Sequence, residues 1–502
     1  MFRLPLLLLL TLVIWVPLLF GRFVYDDVEY VANHSALSEV HTFSDCFRYS
    51  GQPTRPIANF FLAMGQWWGE GNPLAQKELS LFGHLLVVLM VFLTLRVFAV
   101  RFLPKFTESH VFWTALLFAW LPIHSETLSV AQFRGEILGS LFALCALRAD
   151  LWEAKIAWKK NLAILLAYAL ASLSKEIFFF IVPLLLVANR RKASAFWMPI
   201  ALLPFFIFTV PQDSFSNFSS TLGWSVLPPK AHGMSVGRAL LEGFPLIFLG
   251  RGISTLRLND RMGPGALWSF QSHLIWIFSL CAAFFYFAQR SSRLRPGIVF
   301  FSICAIPYLL IPNLNIGSTH YWYLPSLGLL FAVVAFLPWN PVTLLPYAVF
   351  LSALSQLSLA DFRDRERLAL HEAQAHAESA MAWLELASVY LSNPTKVGSV
   401  RPLLEKAKSL KPHRPELYWL EFHLDLKQGL VAEAREALLK LEGLSFPADR
   451  LARCHYDLAV RNALENHREE AAQSLERALK LDPKSREIQE LSRSFGRRSK
   501  SS

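Results

Sequence analysis

Phe23-Val24-Tyr25-Asp26-Asp27-Val28-Glu29-Tyr30 follows directly on an apolar run from Leu4 to Phe20, so two adjacent carboxylates stand where a membrane helix would end. Neighbouring acids at a membrane surface are costly, because each raises the pKa of the other and both resist leaving water. One use for such a pair is general-base chemistry on an attacking hydroxyl. Another is holding a divalent cation that neutralises a phosphate. The bland alternative is a solvated acidic turn that caps the next element.

Composition sets the class. The chain has 502 residues, 54% of them hydrophobic, with 41 Phe and 15 Trp. Its mean hydropathy is +0.35, far too apolar for a water-soluble protein of this length. The expected class is therefore an all-α polytopic membrane protein. The 17% of charged residues fall between apolar runs or after Ala360, which divides the chain into two regions. Arg3 before a leucine-rich core resembles a secretory signal, but no small-x-small cleavage site follows, and the run is read as a retained first span. Five cysteines show neither a pairing pattern nor metal-ligand spacing. The formal charge of +11 comes from short basic groups at span ends, a pattern of membrane orientation rather than of nucleic-acid binding.

Apolar runs at 4–20, 79–100, 110–123, 137–149, 161–173, 177–188, 195–211, 271–288, 297–312, 321–337 and 341–360 give a bundle of about eleven spans over residues 1–360. Basic clusters at Arg96, Arg101 and Lys105, at Lys155, Lys159 and Lys160, at Arg190, Arg191 and Lys192, and at Arg290, Arg293 and Arg295 mark the cytoplasmic face. Two crossings separate each successive pair of clusters, so the parity is self-consistent. The N-terminus is then cytoplasmic; the first outer loop (21–78), an outer loop at 212–270 and the C-terminal region lie outside. Ser174-Lys175-Glu176 interrupts a pair of short runs and is read as the meeting point of two half-length helices. The patch Ala239 to Leu249 is read as interfacial or re-entrant.

Beyond a linker helix at 361–378 the pattern turns polar and helical, with a period near 34 residues. Trp383, Leu386, Ala387, Tyr390, Ala407 and Pro412, and again Leu458, Ala459, Ala471, Leu475, Ala478 and Pro483, fit tetratricopeptide spacing. Small residues at helix crossings permit close packing, and the proline stops the second helix. The expectation is a solenoid of three repeats plus a capping helix over 379–495, followed by a basic tail (496–502). Such arrays bind peptides or partner proteins. An ordinary helical bundle is the competing description.

The segments assigned to one membrane face carry Asp26-Asp27, Thr54-Arg55-Pro56-Ile57, Leu121-Pro122-Ile123-His124-Ser125-Glu126, Arg134-Gly135-Glu136-Ile137-Leu138, Ser174-Lys175-Glu176 and His320-Tyr321-Trp322-Tyr323-Leu324-Pro325-Ser326-Leu327-Gly328. In this order and spacing they resemble the transmembrane, tetratricopeptide-containing O-mannosyltransferases and their bacterial relatives, within the C-type glycosyltransferase superfamily. The likeness runs along almost the whole chain and includes Leu256-Arg257-Leu258. It implies a catalytic acid in the first outer loop and a polyprenyl-phosphate sugar donor. Thr54-Arg55-Pro56-Ile57 replaces the usual Tyr-Arg-Pro-Leu run. His320-Tyr321 replaces an Arg-Tyr pair, exchanging a fixed charge for a side chain largely neutral at pH 7.

The expected function is an integral-membrane hexosyltransferase that moves one sugar from a polyprenyl phosphate to a hydroxyl of an extracytoplasmic protein or glycan, with inversion. Asp26 or Asp27 is the base, and the resemblance favours Asp26. Arg55, Arg134 and Lys175 grip the donor phosphate with help from His320, while Glu136, Glu176 and Tyr321 support them. The structural alternative for Arg134 and Lys175 is ion pairing with Glu136 and Glu176. If a divalent cation is used, Asp26 and Asp27 are its candidate ligands, and no third is evident. The repeats recruit the acceptor. Competing functions are a non-catalytic membrane scaffold for an envelope complex and a ligase for lipid-linked glycans.

Overall fold

The computed structural model describes residues 2–188, 286, 291 and 294–498, apart from 53, 103–105, 154–155, 311–317, 337–340, 445 and 484. All regular structure among them is helical. The expected spans 195–211 and 271–288, the loop 212–270 with its 239–249 patch and 256–258 segment, and the end of the basic tail lie outside the described residues. The chain divides into two compact units, Met1–Leu368 and Ala369–Ser502.

In the first unit the main helices are α1 (Arg3–Trp15), α2 (Pro56–Gly69), α3 (Pro73–Phe102), α4 (Glu108–Ala119), the short α5 (His124–Ser129), α6 (Arg134–Leu151), α7 (Ala157–Ser174), α8 (Phe178–Ala188), α9 (Arg295–Leu310), α10 (Tyr323–Phe336) and α11 (Pro341–Asp361). Proline opens α2, α3 and α11, where its missing N–H costs nothing. A reciprocal Thr107–His110 capping box opens α4, and Leu121-Pro122 lies just beyond its end. Among the described residues, three segments are long and apolar enough to cross a membrane: Arg3–Phe20, Pro73–Arg101 and Leu344–Asp361. The remaining helices over expected spans fall short of that measure. They are brief, like α8 with 11 residues, or charged, like α6 with Arg134, Glu136, Arg148 and Asp150.

Consecutive helices bring alternate ends to one polar layer. The end of α1 meets the end of α11, where the Arg22 amide donates to the Arg363 carbonyl at 2.8 Å. The starts of α3 and α6 meet through Arg134 and Gln76. The turn between α7 and α8 meets the start of α6 through Lys175 and Glu136, and the end of α9 joins them through Tyr308. Away from that layer the core is apolar, with Trp15, Phe118, Tyr168 and Phe178 fully buried.

After α12 (Arg365–Ala375), which spans the boundary between the units, the second unit is built from helix pairs: α13 (Ala380–Ser392) with α14 (Val400–Leu410), α15 (Pro415–Gln428) with α16 (Val431–Glu442), and α17 (Ala448–Leu464) with α18 (Arg468–Leu481). Helix α19 (Arg486–Arg498) follows and packs on α18. Leu386, Ala387, Ala407, Leu458, Ala459, Ala471, Leu475 and Ala478 are all buried. The alanines let the paired helices approach closely. Ser379 caps α13 by accepting from the Ala382 amide, and Gly429 closes α15 at φ +78°, where a side chain would be strained.

Candidate functional site

The polar layer holds two clusters. In the first, Asp27 is 1% exposed and reaches across to the turn before α6. Its two carboxylate oxygens accept from the backbone N–H groups of Ala131 at 2.8 Å and Gln132 at 3.0 Å. Burial pushes its pKa up to about 6, against the pull of those two amides and of Lys77 and Arg134. Lys77 also donates to the Ser129 carbonyl at 3.2 Å. Tyr25, two residues before Asp27, takes a left-handed backbone at φ +54°, a strained conformation for a residue with a side chain. Asp26 between them is half-buried. Asp27 thus anchors the loop, and Asp26 is the acid nearer the surface.

In the second cluster, Arg55 grips Glu176 with two parallel bonds, Nε to Oε2 at 2.7 Å and Nη2 to Oε1 at 2.5 Å. Burial works against both charges. For Glu176 the guanidinium outweighs that and holds the carboxyl at about 2; for Arg55 the carboxylate, with Tyr321 and Glu136, holds the guanidinium above its ordinary value. Lys175 pairs with Glu136, whose other oxygen accepts from the Tyr308 hydroxyl at 2.5 Å. The ammonium lies over the rings of Tyr321 at 4.9 Å and Tyr308 at 5.7 Å. Gly135 makes this meeting feasible, since a Cβ there would stand 2.8 Å from the Ser174 carbonyl just before Lys175.

His320 connects the clusters. Its ring stacks on Phe133 at 3.8 Å between centroids, and Phe133 lies between Gln132, which binds Asp27, and Arg134. Its backbone N–H donates to Glu126 at 2.9 Å, Thr319 donates to the same carboxylate, and its Nδ1 lies 3.5 Å from it. Burial lowers the His320 pKa, with Glu126 acting in the opposite sense, so at neutral pH the ring brings no fixed charge. His124 lies deeper, with its centroid 4.5 Å from Tyr323 and 5.2 Å from His84.

The structure revises three expectations about these residues. Asp27 and the cations do not form one pocket through direct contact: Asp27 faces Lys77 and Arg134, whereas Arg55 and Lys175 sit with Glu176 and Glu136. Arg134, expected at the donor phosphate, is engaged within the protein. It is 1% exposed and donates to Ser80, to the Phe61 carbonyl and twice to Gln76, so its fork ties α2, α3 and α6 together. Glu136 pairs with Lys175 rather than with Arg134, and Glu176 pairs with Arg55 rather than with Lys175. Among the described residues no three His, Cys, Asp or Glu side chains gather as a metal site. Sequence reasoning missed Lys77 and Tyr308. The signal for Lys77 was present, a cation where an apolar run begins. Tyr308 lies inside an apolar run and gave none.

No protein-family model, no curated protein and no solved structure matches the chain.

Proposed function

We propose that the chain is an integral-membrane glycosyltransferase that moves one sugar from a polyprenyl-phosphate donor to a hydroxyl of an extracytoplasmic protein or glycan. The fold in this reading is a C-type glycosyltransferase bundle of about eleven spans followed by a tetratricopeptide solenoid that recruits the acceptor. The site and repeats face away from the cytoplasm, in a bacterial cytoplasmic membrane. The observation that carries the reading is one cluster of Arg55, Glu136, Lys175, Glu176, Tyr308 and Tyr321, drawn from five separate stretches and set, buried or half-buried, in the polar layer that also holds the Asp26–Asp27 loop. Four mutually paired charges of both signs, held beneath aromatic rings, are expensive as pure structure.

In the proposed step, Asp26 takes the proton of the acceptor hydroxyl as its oxygen attacks the anomeric carbon. The bond from that carbon to the phosphate oxygen breaks, and its electron pair leaves with the polyprenyl phosphate. Arg55 and Lys175 stabilise the leaving phosphate, which requires Glu136 and Glu176 to share them with the donor. Asp27 positions the loop and does no chemistry. A purified sample given a polyprenyl-phosphate hexose labelled in the sugar tests this. Release of unlabelled lipid phosphate with transfer of one labelled residue supports it; transfer of an intact lipid-linked oligosaccharide instead makes the chain a ligase.

The non-catalytic scaffold is the second reading, and one observation favours it: both candidate phosphate ligands are already engaged by carboxylates. A wild-type cellular phenotype with Asp26 and Arg55 replaced but the repeats intact decides for it.

A further inference from the structure

Helix α2 carries its amphipathic pattern the wrong way round for a helix in water. Its fourteen residues, Pro56–Gly69, include no charged side chain. The stripe against the protein is small: Ala58, Asn59, Leu62, Ala63 and Gly65 are buried. Gly65 is required there, since a Cβ would stand 2.4 Å from the Gln76 side chain of α3. The opposite stripe, at helical spacing, is Ile57, Phe60, Phe61, Met64, Trp67 and Trp68; Phe60 and Met64 are half-buried against the cluster of Val31, Leu37 and Leu62, and the stripe opens outward at Trp67 and Trp68, 41% and 61% exposed. A surface helix normally turns its polar side outward, and two adjacent tryptophans left to water are a liability.

The preceding loop extends the same surface. Phe43 sits edge-on to Phe47 at 5.4 Å and lies 5.3 Å from Trp67, and Phe47 lies 4.8 Å from Phe60. Phe47 is 70% exposed, and Arg48 beside it turns an 81% exposed side chain outward. Aromatic rings flanked by arginine match the headgroup zone of a bilayer, where amphipathic rings and cations find both apolar and phosphate partners.

Chain geometry identifies the occupant. Only Gly69-Glu70-Gly71-Asn72 separates Trp68 from Pro73, where the membrane-length segment Pro73–Arg101 begins. Four residues reach about 14 Å at most. The aromatic end of α2 is therefore held near the level at which a span leaves the hydrocarbon. Carbonyls of Phe61 and Leu62 accept from Arg134 and Gln76, which fastens the helix beside the start of α3.

We infer that α2 is an interfacial helix whose Phe60–Trp68 stripe, with Phe43 and Phe47, inserts into the lipid leaflet on the side of the polar layer. Its length of about 21 Å lies along the bilayer surface, with Arg55 at its N-terminal end. If the glycosyltransferase reading holds, this same helix sets Arg55 at the depth of a lipid-borne phosphate, but the insertion stands without that reading.

The test uses the full chain in nanodiscs, with a dansyl amino acid in place of Trp68 by amber suppression, and a second sample labelled in place of Phe47. Quenching by lipids brominated near the top of the acyl chains, with no quenching by aqueous iodide, is the expected result at both positions. Iodide quenching without bromolipid quenching overturns the inference. Protection from both quenchers also overturns it and assigns the stripe to a protein partner or to a second copy. The readout is independent of sugar transfer, so a failure of the glycosyltransferase reading leaves it intact.

Discussion

Replacing Asp27 by alanine separates an anchoring acid from a catalytic one. The substitution removes the acceptor for the Ala131 and Gln132 N–H groups, which lie at 2.8 and 3.0 Å. Each buried donor left unmade costs about 1 to 3 kcal/mol. Lys77 and Arg134 also lose the carboxylate that attracts them. Breaking one side of a buried charge group costs about 3 to 5 kcal/mol, part of which overlaps the first effect. The expected loss is therefore about 4 kcal/mol, a fall in the unfolding midpoint on the order of 10 °C. Asp26→Asn touches none of these contacts, and transfer should fall by about 10² to 10⁴-fold, the usual contribution of a general base. Thermal unfolding in detergent and single-turnover transfer, measured on the same preparations, give both readouts. An Asp27→Ala protein with an unchanged midpoint and no transfer, beside a fully active Asp26→Asn protein, refutes the assignment.

Titration supplies a second check. The Asp27 pKa is raised from 3.8 to about 6, so the folded protein holds that proton more tightly than the unfolded chain. Its contribution to stability is most favourable below pH 4 and is lost as pH rises through 6, by about 3 kcal/mol in all. That component should be missing from the pH profile of Asp27→Asn, as read by denaturant midpoints. Arg55→Met alone leaves the half-buried Glu176 without its partner and should cost about 1 to 3 kcal/mol, whereas Arg55→Met with Glu176→Met should recover most of that stability and remain inactive. Tyr308→Phe removes one bond to the buried Glu136 side chain and should cost about 1 to 3 kcal/mol in thermal unfolding. In the second unit Ala459→Leu forces a larger side chain into a fully buried helix crossing and should cost about 1 to 3 kcal/mol, seen as earlier loss of its helical signal.

Apolar runs and their interruptions were readable because burial in lipid or core demands continuous hydrophobicity. The helices α1, α3 and α11 and the break at Lys175 fall where those runs place them, and the alanine and leucine spacing of the second unit matches buried helix crossings. Pairing among charges was not readable. Glu136, Lys175 and Glu176 stand close to one another in space, and only the approach of α6 to the turn at Ser174, permitted by Gly135, decides that Lys175 takes Glu136 and leaves Glu176 to Arg55. Arg134 looked like a ligand because a lone cation at a span end usually needs an anion, yet the Phe61 and Gln76 carbonyls and the Gln76 and Ser80 side chains already accept from it. Helix α2 escaped notice for another reason: its apolar stripe is too short for a span and too interrupted to register as one. Tyr308 was invisible because a tyrosine in an apolar run differs from phenylalanine by a single hydroxyl.

The central claim is that an acid in the first loop and two paired cations act together on one lipid-linked sugar. Its most direct test is transfer from a labelled polyprenyl-phosphate hexose by purified protein in nanodiscs, comparing the parent with Asp26→Asn and with the Arg55→Met, Glu176→Met double variant. The expected result is one labelled sugar transferred per lipid phosphate released by the parent, and none by either variant. No turnover by the parent, or equal turnover by all three, contradicts it.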